Sequence, residues 1–280
     1  MKNKFRMPAI LKQKNFLFKV GLFICLSWVF IAMFAPYIVP QNPIAQDMSA
    51  RFLPPSAGHW FGTDELGRDV FSRVLVGSRI SITAGVITVC ITIVMGLLYG
   101  GIAGYIGGIV DDIMMRVAEL ISSFPPLILA MVIAAALGPS IFNSVFAMVI
   151  IWWPNYARLM RSMVITLKEN EYIVAAKTIG ASHIRILYKE ILPNSIGPLL
   201  VMATLDIGNA ILTFAGLSFL GLGTQPPTPE WGAMVADGVN TINYWWISTF
   251  PGLAIFMISI AANFVGDGLR DYMDPKLLKR

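Results

Sequence analysis

The chain has 280 residues, of which 56% are hydrophobic and only 13% are charged. A soluble globular domain carries about 25% charged residues, so this composition excludes an ordinary soluble enzyme or binding module. The formal net charge of +5 would suit a nucleic-acid-binding protein, but the positions of the charges, given below, exclude nucleic acid as a partner.

The apolar residues occur in runs of membrane-spanning length. We predict six transmembrane helices, at roughly 19–39, 80–105, 120–138, 141–153, 196–222 and 245–265. The fourth run is short for a span, at about 13 residues, unless Pro154 and Tyr156 also lie in the membrane. The predicted fold class is an all-α integral membrane protein.

The basic residues predict the orientation of these helices. If the N-terminus is cytoplasmic, six spans return the C-terminus to the cytoplasm, and 17 of the 21 Lys and Arg residues then lie inside. Only Arg51, Arg68, Arg73 and Arg79 remain outside, as the positive-inside rule requires. The first apolar run has no small-x-small cleavage site, so we predict an uncleaved first span.

Four regions follow along the chain. Residues 1–40 hold a basic cytoplasmic tail and the first span, 41–78 an extracytoplasmic segment with a surface helix, 79–268 a five-span core with a cytoplasmic loop at 155–195, and 269–280 a second cytoplasmic tail. In the external segment, the spacing of Leu66, Val70, Val74 and Leu75 predicts a helix that starts at Asp64.

No motif of a catalytic centre is present in the sequence. The string "GTDELGRD" has the glycine spacing of a phosphate-binding loop, but Arg68 and Asp69 occupy the places of the required Lys and hydroxyl residue. We expect a structural turn there, with Thr63 capping the helix that follows. Both cysteines fall within predicted spans, and no paired-Cys, G-x-S-x-G or H-E-x-x-H motif occurs. We therefore predict a non-catalytic chain without a metal site.

The most polar long stretch in the second half of the chain is "EYIVAAKTIGASHIRILYKEILPN", residues 171–194. It predicts two short amphipathic helices separated by Gly180, which tolerates the left-handed turn that ends a helix. Ser182 is placed to cap the second helix and Pro193 to end it. From periodicity alone, a hairpin lying on the lipid surface and a protein-docking knuckle in the cytoplasm are equal alternatives.

The same stretch resembles the cytoplasmic signature of ABC importer permeases, in which an acidic residue and two alanines precede a glycine, with Leu-Pro further on. The matching residues are Glu171, Ala175, Ala176, Gly180, Leu192 and Pro193. The resemblance implies that this segment docks into a cleft on a separate ATPase subunit. It would then receive mechanical work from ATP hydrolysed on that subunit.

Three further segments extend the resemblance over nearly the whole chain: "HWFGTDELGRDVFSRVLVGSR" (59–79), "GLSFLGLGTQPPTPEWGAM" (216–234) and "NFVGDGLRDYMDPKL" (263–277). They resemble the dipeptide, oligopeptide and nickel branch, and more narrowly its second, C-type permease subunit. This implies a type I importer permease core in a bacterial or archaeal cytoplasmic membrane. The implied partners are a sister permease, two ATPase subunits that bind ATP and Mg²⁺, a solute-binding protein and membrane lipid, with no cofactor on this chain.

Asp206 and Asn209 lie within the predicted fifth span. A carboxylate at the centre of a membrane helix costs roughly 2.5–3.5 kcal/mol on insertion scales, which suggests a function. Asp206 could line the translocation pathway and face a peptide amine or a cation, or it could form a structural hydrogen bond to a neighbouring helix. Short peptides are the expected substrate, and nickel or a metal–chelate complex is the alternative. A secondary transporter is a further alternative, although no inverted repeat supports it.

The external loop at 223–243 is rich in Pro and aromatic residues and contains no Lys or Arg. Its proline residues fix φ, and Trp231 offers a large apolar area with a polar edge. With the external helix, this loop is predicted to dock the solute-binding protein through Glu230 and Trp231. A lid that only seals the pathway is an equal alternative.

Overall fold

The computed structural model describes residues 9–273, and within that range the chain is helical with no β-strand. The helices are α1 (Ala9–Ile38), α2 (Val70–Ile106), α3 (Gly108–Ser122), α4 (Pro126–Leu137), α5 (Ile141–Lys168), α6 (Glu171–Thr178), α7 (His183–Ile186), α8 (Leu192–Phe219), α9 (Trp231–Asn240) and α10 (Trp246–Met273). A 3₁₀ turn covers Met48–Ala50 and a π-helical turn covers Leu187–Ile191. The ends of the two predicted basic tails, 1–8 and 274–280, lie outside the described residues.

The long apolar helices confirm a multi-pass membrane protein. In the described part of the chain, four segments are long and apolar enough to cross a membrane: Phe16–Ile38, Val70–Ile106, Leu187–Phe219 and Trp246–Met273. Helices α3 and α4 form a fifth candidate together, with a bend of 86° between them. Length and composition thus support four or five crossings, and the predicted number of six depends on α5.

The structure differs from the sequence prediction in the third and fourth predicted spans. The continuous third helix predicted for 120–138 is instead broken before Pro126, which starts α4. A proline lacks the N–H that a continuing helix needs, whereas the first position of a helix does not use that group. By contrast, α5 passes through Pro154 without ending and is 28 residues long. The predicted fourth run therefore covers only the first half of this helix.

Helix α2 lies at the centre of the packing and contacts α5 along much of its length. Glycines on α2 make this close approach possible, because a Cβ atom at Gly96 would overlap Tyr156 and one at Gly100 would overlap the backbone of Ala157. The main buried cluster surrounds this contact and includes Met148 of α5 and Phe214 of α8. Small residues at a helix contact are typical of membrane bundles, where close backbone approach supplies the packing energy.

The predicted external segment, residues 41–78, folds as a cap over the N-terminal ends of α2 and α10. Asp64 holds a turn by accepting hydrogen bonds from the backbone N–H groups of Leu66 and Arg68, both at 2.9 Å. Its second oxygen accepts from Arg68 Nε at 2.6 Å, and Trp246 Nε1 of α10 donates to the Thr63 carbonyl at 3.0 Å. Arg68 and Arg73, which the sequence places outside, are buried within this cap.

The structure does not contain the separate surface helix that the sequence predicts to start at Asp64. The helix begins at Val70, where Asp69 is the N-cap and accepts from Ser72 N at 2.8 Å, and it continues without a break as α2. Thr63 is not a helix cap, since its hydroxyl donates to the Ala50 carbonyl and accepts from Leu53 N. An Asp side chain that bonds nearby backbone N–H groups favours a turn over a helix, which explains why the helix starts late.

Candidate functional site

The segment between α5 and α8 forms the predicted knuckle of two short helices. Helix α6 ends before Gly180, whose φ of +82° lies in the left-handed region. The turn is closed by backbone hydrogen bonds from Ile179 N to the Ala175 carbonyl at 3.1 Å and from Ala181 N to the Ala176 carbonyl at 3.0 Å. The predicted position and conformation of this glycine are confirmed.

The second half of the knuckle does not end at Pro193 as predicted. Helix α7 passes into the π-helical turn at Leu187–Ile191, which leads directly into α8. Pro193 lies in the first turn of α8, where its missing N–H is tolerated. Because helical structure is continuous from α7 into α8, a displacement of the knuckle can be transmitted along α8 without an intervening flexible loop.

The knuckle has one anchored face and one free face. Ile173, Ile186 and Ile191 are fully buried and pack into the main cluster. On the free face, Ile179 is 85% exposed and Tyr188 is 70% exposed. The other predicted coupling residues are distributed as follows: Glu171, Ala175, Gly180 and Pro193 are exposed, whereas Ala176 and Leu192 are half-buried. The sequence periodicity did not single out Ile173, which is the side chain that anchors α6.

A second feature is a cleft of about 700 Å³ between α4, α5 and α8. Its polar lining is Asn155, Asp206, Asn209 and Thr213, and its apolar lining includes Leu127, Trp152 and Leu212. The structure thus brings the predicted pair Asp206 and Asn209 to one cleft wall. It adds Asn155 from α5, which the sequence analysis did not identify.

Asp206 is held in place by a hydrogen bond from a neighbouring helix. The hydroxyl of Tyr156, a fully buried residue of α5, donates to Asp206 Oδ2 at 2.8 Å. Asn209 lies less than one turn further along α8 and lines the same cleft. The structural hydrogen bond to a neighbouring helix is present, whereas a role of Asp206 in the translocation pathway stays a prediction. The polar run "WPNY" in α5 was the available signal for Tyr156.

Glu230 and Trp231 do not form the exposed docking site that the sequence predicts, because both side chains are fully buried. The Glu230 carboxylate caps α9 by accepting from Gly232 N and Ala233 N, both at 2.9 Å, and it accepts from Ser81 Oγ of α2 at 2.9 Å. Burial raises the pKa of Glu230. Trp231 Nε1 donates to the Val74 carbonyl at 2.9 Å, so both residues fasten the external loop to α2.

The exposed part of the external loop lies elsewhere. Residues 225–228 are exposed, and so is Ile242 beyond α9, with 79% of its surface accessible. Arg73 Nη1 donates to the carbonyl of Pro43 at 3.0 Å and to that of Pro227 at 3.4 Å, which joins the loop to the external cap. A partner protein that binds this loop would therefore contact its tip, residues 225–228, and not Glu230 and Trp231 at the start of α9.

Comparison with known protein families identifies the kind of protein that carries these features. Residues 93–279 match the family described as "Binding-protein-dependent transport system inner membrane component". The chain belongs to this family. Residues 13–55 also match the family described as the N-terminal TM domain of oligopeptide transport permease C. The knuckle and the cleft both lie inside the first match, and the resemblance to C-type ABC importer permeases is confirmed.

Individual relatives of this permease cover most of its length. It is 49% identical over 245 residues to "Probable D,D-dipeptide transport system permease protein DdpC" of Escherichia coli, a match that covers 87% of this chain and 82% of the relative. The "Dipeptide transport system permease protein DppC" of Alkalihalophilus pseudofirmus is 44% identical, and the match covers 95% of this chain and 88% of the relative. The protein of the same name from Bacillus subtilis is 43% identical, and the match covers 95% of this chain and 83% of the relative.

Proposed function

We propose that this chain is a permease subunit of an ATP-driven importer that moves short peptides, di- or oligopeptides, across the cytoplasmic membrane. The relatives named above are permeases of dipeptide or D,D-dipeptide transport systems, which favours peptides over nickel or a metal chelate. The chain itself is non-catalytic in this proposal. ATP and Mg²⁺ are bound by two separate ATPase subunits, and a sister permease and an extracytoplasmic solute-binding protein complete the importer.

The proposed topology has six crossings with both termini in the cytoplasm. These are α1, α2, the bent pair α3–α4, α5, α8 and α10. Helix α5 has 28 residues, more than the roughly 20 that a membrane span requires. In this arrangement the knuckle faces the cytoplasm, while the cap and the loop before α9 face outwards. The cytoplasmic side then carries most of the Lys and Arg residues.

The observation that carries the proposal is the free apolar face of the knuckle. Side chains such as Ile179 and Tyr188 extend into solvent, while Ile173 and Ile186 anchor the same segment to the membrane bundle. Exposed apolar side chains on an anchored, polar segment mark a protein or membrane contact, and the family match favours a protein partner. Glu171, Ala175, Ala176 and Gly180 would contact the ATPase, and Leu192 and Pro193 would connect the contact to α8.

Disulfide crosslinking tests this assignment. In a chain whose native Cys25 and Cys90 are replaced by Ser, we expect Ala175→Cys to crosslink to a cysteine placed in the cleft of the ATPase subunit. The yield should change between the nucleotide-free and ATP-bound states. Ile173→Cys is the matched control on the same helix, because Ile173 is fully buried and should give no crosslink.

The same assay can contradict the proposal. Equal yields at 173 and 175 would show that α6 does not present the face seen here. Absence of any crosslink at 175 or from Glu171→Cys, in a complex that co-purifies with the ATPase, would remove the coupling role from this segment.

We further propose that the tip of the external loop, residues 225–228, contributes to the docking surface for the solute-binding protein. Glu230 and Trp231 support that surface from below by holding α9 against α2. A lid over the pathway is the alternative for the same loop, and the buried anchoring of its base is compatible with either role.

A further inference from the structure

The cleft between α4, α5 and α8 combines one carboxylate with amide and hydroxyl groups. Asp206 is the acidic residue of its lining, and Asn155, Asn209 and Thr213 are the polar neighbours. The walls beside them are apolar and come from Leu127, Trp152 and Leu212. A ligand that fits this lining carries one positive charge and hydrogen-bonding groups next to apolar side chains.

The carboxylate of Asp206 has a hydrogen-bond donor but no cationic partner among the side chains that the structure describes. Tyr156 Oη donates to one oxygen at 2.8 Å, and no Lys or Arg with a described side chain is paired with the carboxylate. Arg158, the nearest cation along α5, is engaged with Asn155 Oδ1 at 2.6 Å and Ser122 Oγ at 2.9 Å. A carboxylate has about four lone-pair positions, so Asp206 retains free acceptor capacity towards the cleft.

Tyr156 makes this arrangement rigid. Its ring is fully buried, and its Cβ packs against the surface left free by Gly96 of α2. The hydroxyl that reaches Asp206 is therefore positioned from two helices at once. A side chain held in this way keeps its geometry when the neighbouring cleft fills and empties.

We propose that Asp206, positioned by Tyr156, binds the protonated amino terminus of the peptide as it passes through the permease. This inference rests on the proposed function, since it specifies the substrate group that the pathway recognises. An ammonium group has three N–H donors and a single charge, which one carboxylate and the neighbouring amide oxygen of Asn209 satisfy. A hard divalent cation such as Ca²⁺ instead prefers several charged or carbonyl oxygen ligands, and Ni²⁺ favours imidazole ligands. The lining of this cleft supplies one carboxylate and no His.

The test uses the complete importer, reconstituted in liposomes with its solute-binding protein and ATP inside. Uptake of alanyl-alanine is compared with uptake of lactoyl-alanine, in which a neutral hydroxyl replaces the amino group. Each rate is divided by the occupancy of the binding protein, so that the preference of the permease itself is measured. We expect the wild-type importer to favour alanyl-alanine about tenfold, as a hydrogen bond to a charged group contributes that much.

Three variants test whether the preference for alanyl-alanine arises from the cleft wall that carries Asp206. Asp206→Asn should lower uptake of alanyl-alanine about tenfold and abolish the preference. Tyr156→Phe keeps the ring against Gly96 but removes the hydroxyl, so it should reduce the preference partly. Thr204→Val is the matched control on α8, because the Thr204 hydroxyl bonds only the Leu200 carbonyl of its own helix at 2.8 Å.

The outcomes separate this inference from the proposed function. If the wild-type importer takes up neither compound, the peptide-importer proposal fails. If it takes up alanyl-alanine and both Asp206→Asn and Tyr156→Phe keep the wild-type preference, only the ammonium site fails. Where the Asp206→Asn complex does not assemble, as judged by basal ATPase activity, an unchanged preference in Tyr156→Phe is sufficient to reject the site.

Discussion

Gly180 shows how a single residue can determine the shape of the knuckle. Its φ of +82° is unfavourable for residues with a side chain, although an added Cβ would meet no atom within 4 Å. A substitution there would be resisted by the backbone conformation and not by collision. The left-handed conformation costs roughly 1–2 kcal/mol for most L-residues and least for Asn.

We therefore expect Gly180→Val to lower peptide uptake per ATP hydrolysed by at least fivefold, because the turn that presents α6 to the ATPase is strained. Gly180→Asn should stay within twofold of wild type, since Asn accepts the same φ. Uptake and ATPase activity are measured on the same proteoliposomes. If Val and Asn behave alike, the conformation of residue 180 is not what couples the two activities.

At the scale of helices, the contact between α2 and α5 depends on glycines spaced four residues apart. A Cβ at Gly100 would overlap the backbone of Ala157, whereas a Cβ at the adjacent Gly101 would lie 3.8 Å from the end of Met160. The two positions have the same helix propensity but different surroundings. They form a matched pair for measuring how much the close approach contributes to stability.

Gly100→Ala should destabilise the protein by about 1–3 kcal/mol, because overpacking of a rigid backbone contact has costs of that size. Gly101→Ala should be neutral or slightly stabilising, since Ala is the better helix former. Thermal unfolding of the detergent-purified permease complex would show the difference as a lower Tm for the first variant alone. Equal Tm values for both would mean that α2 and α5 can separate to accommodate a methyl group.

The knuckle and α8 also act as one element. The π-helical turn at Leu187–Ile191 joins them without a loop, and the sequence did not predict this, because Pro193 is normally a sign of a helix end. A wider π turn places that proline in the first turn of α8, where no N–H is required. The prediction that Pro193 marks a helix terminus was correct, but Pro193 lies at the start of α8 and not at the end of the preceding helix.

At the scale of the whole molecule, the proposed topology can be tested with accessible cysteines. Thr228 lies in the exposed tip of the external loop, and Ile179 is 85% exposed on the knuckle. In a background with Cys25 and Cys90 replaced by Ser, Thr228→Cys should react with a membrane-impermeant maleimide on spheroplasts. Ile179→Cys should react only after the membrane is permeabilised.

Reaction of Ile179→Cys on intact spheroplasts would overturn the six-crossing arrangement, since the knuckle would then be external. Reaction of both cysteines without permeabilisation would point to damaged membranes, which a cytoplasmic enzyme assayed in the supernatant would reveal. If Thr228→Cys reacts only after permeabilisation while Ile179→Cys behaves as expected, the loop and the knuckle lie on the same side, and α8 does not cross the membrane.

The sequence alone determined the class of the protein, because hydropathy and charge distribution are properties of composition and order. It also located the knuckle and Gly180, since helix periodicity and the need for a positive φ are local effects. The resemblance of the knuckle to the signature of ABC importer permeases then connected these local features to a function. Asp206 was recognisable because a carboxylate in an apolar run is costly wherever the run is folded.

Only the tertiary structure decided which side chains face a partner, a cleft or the interior. Glu230 and Trp231 have the composition of an exposed loop, yet packing against α2 buries both of them. Tyr156 reaches Asp206 because Gly96 lets α5 approach α2 closely, with the Tyr156 hydroxyl directed at α8. Such placements depend on contacts between residues that are distant in the chain, and local propensity and periodicity carry no information about those distances.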